Sequence, residues 1–289
     1  MNEWIDKREF PFRSNYFDLP AGRMHYIDEG EGDVIVMVHG NPTWSFLYRY
    51  LIKRLSKSHR CIAMDHIGFG LSDKPADWSY LPELHAKNLH LFIDELNLKE
   101  ITLVVQDWGG PIGLSYAVNK PENVKSLIIM NTWMWSVAGD LHYERFSGFM
   151  GGPTGRFLIK RFNFFVRVVM KQAMGDKSNL PKSVHRHYLE ALREPNTRKG
   201  CWVFPKQIIA SSSWLESLWS QREQIQDIPT LILWGMKDIA FREKELERWK
   251  TLFNQSKVIK FEDVGHFVQE EKRGQLSPII EGFLSDMQA

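Results

Sequence analysis

Short runs of consecutive apolar, often β-branched residues alternate along this chain with longer stretches whose apolar positions recur every three or four residues. Residues 34–38, 60–64, 101–105, 124–130, 230–234 and 257–261 are of the first kind, which suits strands buried on both faces of a sheet. Residues 46–55, 81–96, 111–118 and 241–253 are of the second kind, with Gly and Pro at the junctions, and predict helices. Strand and helix in alternation imply an α/β fold, a mostly parallel sheet with crossover helices. Ahead of it, residues 16–19 and 23–28 flank a Pro20-Ala21-Gly22 turn and predict an antiparallel hairpin at the sheet edge. The alternation stops between about residues 133 and 210, where 156–173 and 183–192 have helical spacing and no strand is evident. This reads as a helical insertion. Its Phe157, Phe162, Phe164, Phe165, Val168 and Val169 cover much of a helix circumference, so it should bury surface against the sheet domain, mostly as packing and in part around a cavity.

Composition narrows the function classes. The 289 residues are 43% hydrophobic, enough for one large domain with an inserted smaller one. Thirty-seven Lys and Arg against 35 Asp and Glu leave a net charge of +2, which argues against nucleic acid or a membrane surface as partner. Cys61 and Cys201 form no CxxC pair, so neither structural zinc nor a disulfide framework is expected. Residues 1–10 are charged and contain no apolar signal region, and no apolar run approaches the roughly 20 residues of a membrane span. A soluble, cytoplasmic protein is the expectation.

The candidate chemistry lies where strands end. Val105-Gln106-Asp107-Trp108-Gly109-Gly110 places a polar residue after a strand and before a helix, the setting of a nucleophile elbow, although Val105 replaces the first Gly of the usual pattern. Taken alone, Asp107 would more commonly be a helix N-cap. Its company changes the reading: Asp238 follows the strand 230–234 and His266 follows the strand 257–261, both at carboxyl ends, where open α/β sheets bind ligands. Asp107, Asp238, His266 is the nucleophile, acid, histidine order of α/β-hydrolases. After strand 34–38, His39-Gly40-Asn41-Pro42 can supply an oxyanion-hole N–H. His39 and Pro42 are expected to shape that loop, with a cis bond before Pro42 an option, while the Asn41 amide offers two further donors.

Val38-His39-Gly40-Asn41-Pro42-Thr43-Trp44-Ser45, Asp65-His66-Ile67-Gly68-Phe69-Gly70-Leu71-Ser72-Asp73, Val105-Gln106-Asp107-Trp108-Gly109-Gly110 and Asp263-Val264-Gly265-His266-Phe267 together resemble the haloalkane dehalogenases, α/β-hydrolases with a helical cap. The likeness spans nearly the whole chain, includes Phe204-Pro205-Lys206, and is weakest inside the insertion. It implies an α/β-hydrolase core of residues 1–132 and 213–289 and a cap of residues 133–212. It further implies Asp107 as nucleophile, His266 as base, Asp238 as its orienting acid, and Asn41 with Trp108 as halide donors. Family members differ in where the acid sits; Thr132, Trp133, Met134 and Trp135 offer no carboxylate after strand 124–130, so Asp238 is the choice. Some members use a cap Trp in place of the Asn, which keeps Trp133, Trp135 and Trp202 as alternatives. The implied partners are a small halogenated alkane, water and a halide ion.

A carboxylate nucleophile suits displacement at saturated carbon, because it needs no prior deprotonation and no carbonyl to attack. No metal or organic cofactor is expected: Gly68-Phe69-Gly70 lacks the rest of a dinucleotide loop, and His185 and His187, two apart, do not share a helix face. Lys160, Arg161, Arg167 and Lys171 read as a solvated basic face. Two rival readings remain at this point. An epoxide hydrolase would use cap tyrosines, for which Tyr143 and Tyr188 are available, and a hydrolase fold retained only for ligand binding would lack an assembled site.

Overall fold

The computed structural model describes residues 3–287. Eight strands form one sheet: β1 (Asn15–Leu19), β2 (Gly22–Glu29), β3 (Val34–Val38), β4 (Arg60–Met64), β5 (Ile101–Gln106), β6 (Val124–Met130), β7 (Thr230–Gly235) and β8 (Lys257–Phe261). Their spatial order is β1-β2-β4-β3-β5-β6-β7-β8, with β1 and β2 antiparallel and β3 to β8 parallel to one another. The expected hairpin therefore lies at one edge. Every residue of β5 and β7 is buried, as their unbroken apolar runs require, whereas the edge strands β1 and β8 carry exposed positions.

Helices α1 (Arg49–Leu55), α2 (Pro82–Glu95) and α3 (Gly109–Asn119) make the crossovers in the first half, α1 entered through a 3-10 turn at Ser45–Tyr48. Between β6 and β7 the described residues hold helices and no strand: α4 (Leu141–Gly151), α5 (Pro153–Phe162), α6 (Met170–Gln172), α7 (Lys182–Ala191), α8 (Lys199–Ala210) and α9 (Ser212–Ser220). After β7 come α10 (Glu243–Leu252), α11 (Val268–Glu271) and α12 (Arg273–Asp286). None of the helices among the described residues is long and apolar enough to cross a membrane.

The insertion departs from expectation in two respects. The helix anticipated over 156–173 is interrupted at Asn163, whose backbone adopts a left-handed φ of 52° while its side-chain amide donates to the Leu192 carbonyl. The chain then resumes as a π-helical turn at Phe165–Val169 leading into α6. The break splits the aromatic run: Phe165 and Val169 line an internal cavity, while Phe157 and Phe162 are exposed and touch each other. Lys160, Arg161, Arg167 and Lys171 are exposed, as expected.

One buried ionic cluster joins the insertion to the core. Arg49 of α1 donates two hydrogen bonds to Glu270 of α11, at 2.6 and 2.8 Å, with neither side chain exposed. Tyr188 of α7 donates to the same carboxylate, and Arg49 also reaches Glu9 and the Phe46 carbonyl. The two fully buried charges, Arg49 and Glu270, match each other, as burial demands, and Glu9 is partly exposed. The cluster anchors α11 four residues beyond His266.

Candidate active site

In the strand order, β3 is flanked by β4 on one side and β5 on the other, so the chains leaving their carboxyl ends diverge and open a crevice at this switch point. The loop after β3 brings Asn41 to one wall of the crevice, and the turn after β5 lifts Asp107 into it. Asp107 has φ 51°, the strained left-handed backbone of a nucleophile elbow, and its side chain does not cap α3. Close approach requires glycine nearby: a Cβ on Gly40 would lie 2.2 Å from Asp107 Oδ1, and one on Gly109 2.0 Å from the Val38 carbonyl.

The Asn41 backbone N–H donates to Asp107 Oδ1 at 2.7 Å, and the Trp108 backbone N–H also donates to this carboxylate. Asp107 Oδ2 lies 3.6 Å from His266 Nε2, and His266 Nδ1 lies 2.8 Å from Asp238 Oδ2. The structure thus brings together Asp107, His266 and Asp238 from the ends of β5, β8 and β7. Burial raises the Asp107 pKa above the ordinary aspartate value, opposed by His266 and the two N–H donors. Burial alone would lower the His266 pKa; the Asp238 charge and hydrogen bond, with Asp107, outweigh it and raise the net value. An imidazole beside two carboxylates is thereby favoured in its protonated form.

Asp107 and His266 face a cavity of about 110 Å³, lined by Asn41, Trp108, Trp133, Tyr143, Phe165, Phe241 and other mostly apolar groups, while Asp238 lies buried behind His266. Asp107 is only 14% exposed and faces this enclosed space. Trp108 stacks on Phe204 at 5.1 Å, and its indole N–H has no hydrogen-bond partner among the described residues, which leaves it available to an anion. Asn41 is fixed by Cys201 of α8: the thiol donates to Asn41 Oδ1 at 3.1 Å, so Nδ2 is the end left to donate, and its one hydrogen bond among the described residues, to the Cys201 carbonyl, is a long 3.5 Å. Of the alternative tryptophans, Trp133 lines the cavity, Trp135 packs against Trp219 and Trp249, and Trp202 sits under Arg156. Tyr143 lines the cavity, but Tyr188 is spent on Glu270.

His39 does not line the cavity. Its Nδ1 donates to the Gly40 carbonyl and its Nε2 accepts the His66 backbone N–H, so it shapes the loop as expected, and the Asn41–Pro42 bond is cis. Three further residues bear on the site and carried no role in the sequence. Asn131, at the end of β6, donates to Asp238 Oδ2 at 2.9 Å and exchanges hydrogen bonds with Gly235 in both directions. Gln106 contacts His266, and Cys201 contacts Asn41. The available signal was a polar residue ending a strand for Asn131 and Gln106; for Cys201, inside a helix of the insertion, there was none. Among the described residues no group of three His, Cys, Asp or Glu could hold a metal ion.

Comparison with known proteins identifies the family and the fold. The family model of the alpha/beta hydrolase fold matches residues 33–273. Haloalkane dehalogenase 2 of Mycobacterium tuberculosis H37Rv is 38% identical over 283 residues, covering 96% of this chain and 97% of that protein. The cis-3-alkyl-4-alkyloxetan-2-one decarboxylase of Shewanella oneidensis is 32% identical over 286 residues, covering 96% and 89%. Among solved structures, an ancestral haloalkane dehalogenase superposes with a TM-score of 0.86 at 25% identity, covering 95% of this chain and 99% of the other.

Proposed function

We propose, on the premise that this chain belongs to the alpha/beta hydrolase fold family and within it to the haloalkane dehalogenases, that it hydrolyses small haloalkanes to an alcohol, a halide ion and a proton. One observation carries the reading: a carboxylate on a strained elbow, with one oxygen held by a backbone N–H and the other beside a His–Asp pair, facing a mostly apolar cavity with indole and amide N–H groups in its wall. We take residues 133–212 as the cap and residues 1–132 and 213–289 as the core, of which residues 1, 2, 288 and 289 lie outside the described residues. Support for that division is a cavity lined from both parts.

In the first half-reaction Asp107 Oδ2 attacks the carbon from behind the carbon–halogen bond. A carbon–oxygen bond forms, the carbon–halogen bond breaks, and the halide leaves with the electron pair. Trp108 indole and Asn41 amide N–H groups would meet the growing negative charge, and loss of one such donor costs about 10² to 10³ in kcat by analogy with oxyanion donors. In the second half-reaction neutral His266 takes a proton from water, which attacks Asp107 Cγ. The oxyanion develops on Oδ1, already within reach of the Asn41 N–H, and the alcohol departs with Oδ2. Asp238 fixes the imidazole tautomer and stabilises the imidazolium.

The epoxide hydrolase reading is weaker, since Tyr188 is committed to Glu270 and leaves Tyr143 without a second hydroxyl in the cavity. A binding-only role fits poorly with a nucleophile, base and acid already within contact. The oxetanone decarboxylases are full-length relatives, yet a cavity of about 110 Å³ favours a substrate of a few carbons over a ring bearing two alkyl chains, being well below the roughly 300 Å³ at which drug-sized pockets begin.

Incubation with 1,2-dibromoethane, styrene oxide and a cis-dialkyl oxetanone, scoring bromide, diol and alkene, separates these readings; absence of bromide release refutes ours. His266→Gln should still form the ester but fail to hydrolyse it. Mass spectrometry of the peptide bearing Asp107 should then show a stable alkyl adduct.

A further inference from the structure

Gln106 is the last residue of β5, fully buried, and directly precedes the nucleophile. Its side-chain nitrogen lies 2.8 Å from His266 Nε2 and 3.2 Å from the His266 carbonyl oxygen. Its Oε1 is buried and has no partner among the described residues. The carbonyl oxygen can only accept, so the end of the amide facing His266 must be the NH₂. The second N–H of that group therefore meets Nε2, which must offer its lone pair. This agrees with the other side of the ring, where Nδ1 faces the Asp238 carboxylate and must carry the hydrogen. Only the neutral, Nδ1-protonated imidazole satisfies both contacts.

We propose that Gln106 is a positioning residue for the hydrolytic half-reaction: its amide holds the resting His266 in the Nδ1-protonated tautomer, yields Nε2 to water before the proton moves, and opposes the imidazolium. The inference rests on the assignment of Asp107, His266 and Asp238 above and adds a function for the residue beside them. Two carboxylates, Asp238 from the β7 loop and Asp107 from the elbow, pull the ring toward the protonated state. His142 and Tyr143 of α4 are the titratable groups lining the cavity from the insertion, Phe241 and Phe267 pack on the ring as apolar neighbours, and Glu271 engages the Gly265 backbone N–H instead of the ring. Among the described residues Gln106 alone presents a donor to Nε2. Once His266 is protonated, a ring N–H faces the amide N–H, a contact relieved only when the proton leaves or the amide turns its unpartnered Oε1 inward. The device returns the base to its working state after each turnover.

The test uses the whole enzyme with Gln106→Met, which keeps length and removes the donor, and Gln106→Glu, which puts a carboxyl group beside the ring. Stopped-flow bromide burst and steady-state kcat are measured across pH. Burst amplitude and rate, which report ester formation, should stay near wild type. The acid midpoint of kcat should move up by about one pH unit in Gln106→Met, the size of one lost hydrogen bond, and further in Gln106→Glu, with kcat recovering at higher pH. A residue of merely structural importance would lower kcat at every pH and leave the midpoint in place; that outcome, or a downward shift, overturns the proposal. NMR titration of the His266 ring in wild type and Gln106→Met, with His266→Gln identifying the signal, needs no substrate. It should show the same upward shift, so absence of dehalogenation would refute the activity reading while leaving this inference to stand or fall on the ring itself.

Discussion

Replacing Asp238 by Asn separates the two halves of the proposed reaction. Asp238 accepts from three donors: His266 Nδ1–H and Asn131 Nδ2–H at Oδ2, at 2.8 and 2.9 Å, and the Ala240 backbone N–H at Oδ1, at 2.7 Å. An amide of the same shape must turn its NH₂ toward one of these positions. Toward Oδ1 it faces a backbone donor that cannot turn away. Toward Oδ2 it donates to Nδ1 and drives the ring hydrogen to Nε2, removing the lone pair that takes the proton from water. The negative charge that stabilises the imidazolium disappears in either case. The corresponding change in a serine-protease triad, with geometry retained, costs about 10⁴ in kcat, equivalent to roughly 5 kcal/mol of barrier. Ester formation needs neither His266 nor its proton, so it should proceed within a few-fold of wild type. The assay is a single-turnover bromide burst followed by intact-mass analysis: one equivalent of bromide, a persistent alkyl adduct on Asp107, and steady-state turnover down by about 10⁴. Near-normal turnover in Asp238→Asn, or loss of the burst in a variant with unchanged thermal stability, would refute the assignment of Asp238 as the acid behind the base.

Other consequences follow from burial and hydrogen bonding. Glu270→Ala removes the bidentate partner of Arg49 in the core and leaves it only Glu9 and the Phe46 carbonyl, a change that costs up to about 3–5 kcal/mol; calorimetry should show Tm down by on the order of 10 °C, and a change of a degree or two would contradict the buried network. Cys201→Ala removes the donor that orients the Asn41 amide, so the dissociation constant for bromide, read from tryptophan fluorescence, should rise several-fold while Cys201→Ser stays near wild type; equal behaviour of the two would sever the thiol from the halide site. Stability should fall on acidification because burial lowers the pKa of His39 to about 4 and of His85 to about 3, and holds His66 well below its ordinary value. The unfolded chain binds these protons first, so the stability present above about pH 6.5 is lost as pH drops toward the folded-state values, by roughly 1.4 kcal/mol per unit for each ring. Urea midpoints that are flat between pH 7 and 5 would show that the three rings are not held neutral.

The chain's own pattern determined the architecture. Short, mainly apolar and β-branched runs suit strands of a covered sheet, and β3, β4, β6 and β8 begin and end where those runs do, β8 with its Lys257 and Lys260 lying at the exposed edge. The juxtaposition of Asp107, Asp238 and His266, the proposed nucleophile, acid and base, was legible for a related reason: strand ends followed by small residues leave few places for a polar side chain to go. Tertiary structure decided what depends on neighbours distant in sequence. Asn163 splits a periodic stretch because its amide finds Leu192, 29 residues away, which no local spacing encodes. Trp133 reaches the cavity and Trp135 does not, although one residue separates them, because only the packing of α9 and α10 says which indole turns inward. Gln106 and Asn131 look like ordinary polar strand ends until β8 and β7 bring His266 and Asp238 against them. A strand specifies where its side chains leave the sheet, and the groups they meet are set by the elements that fold over it.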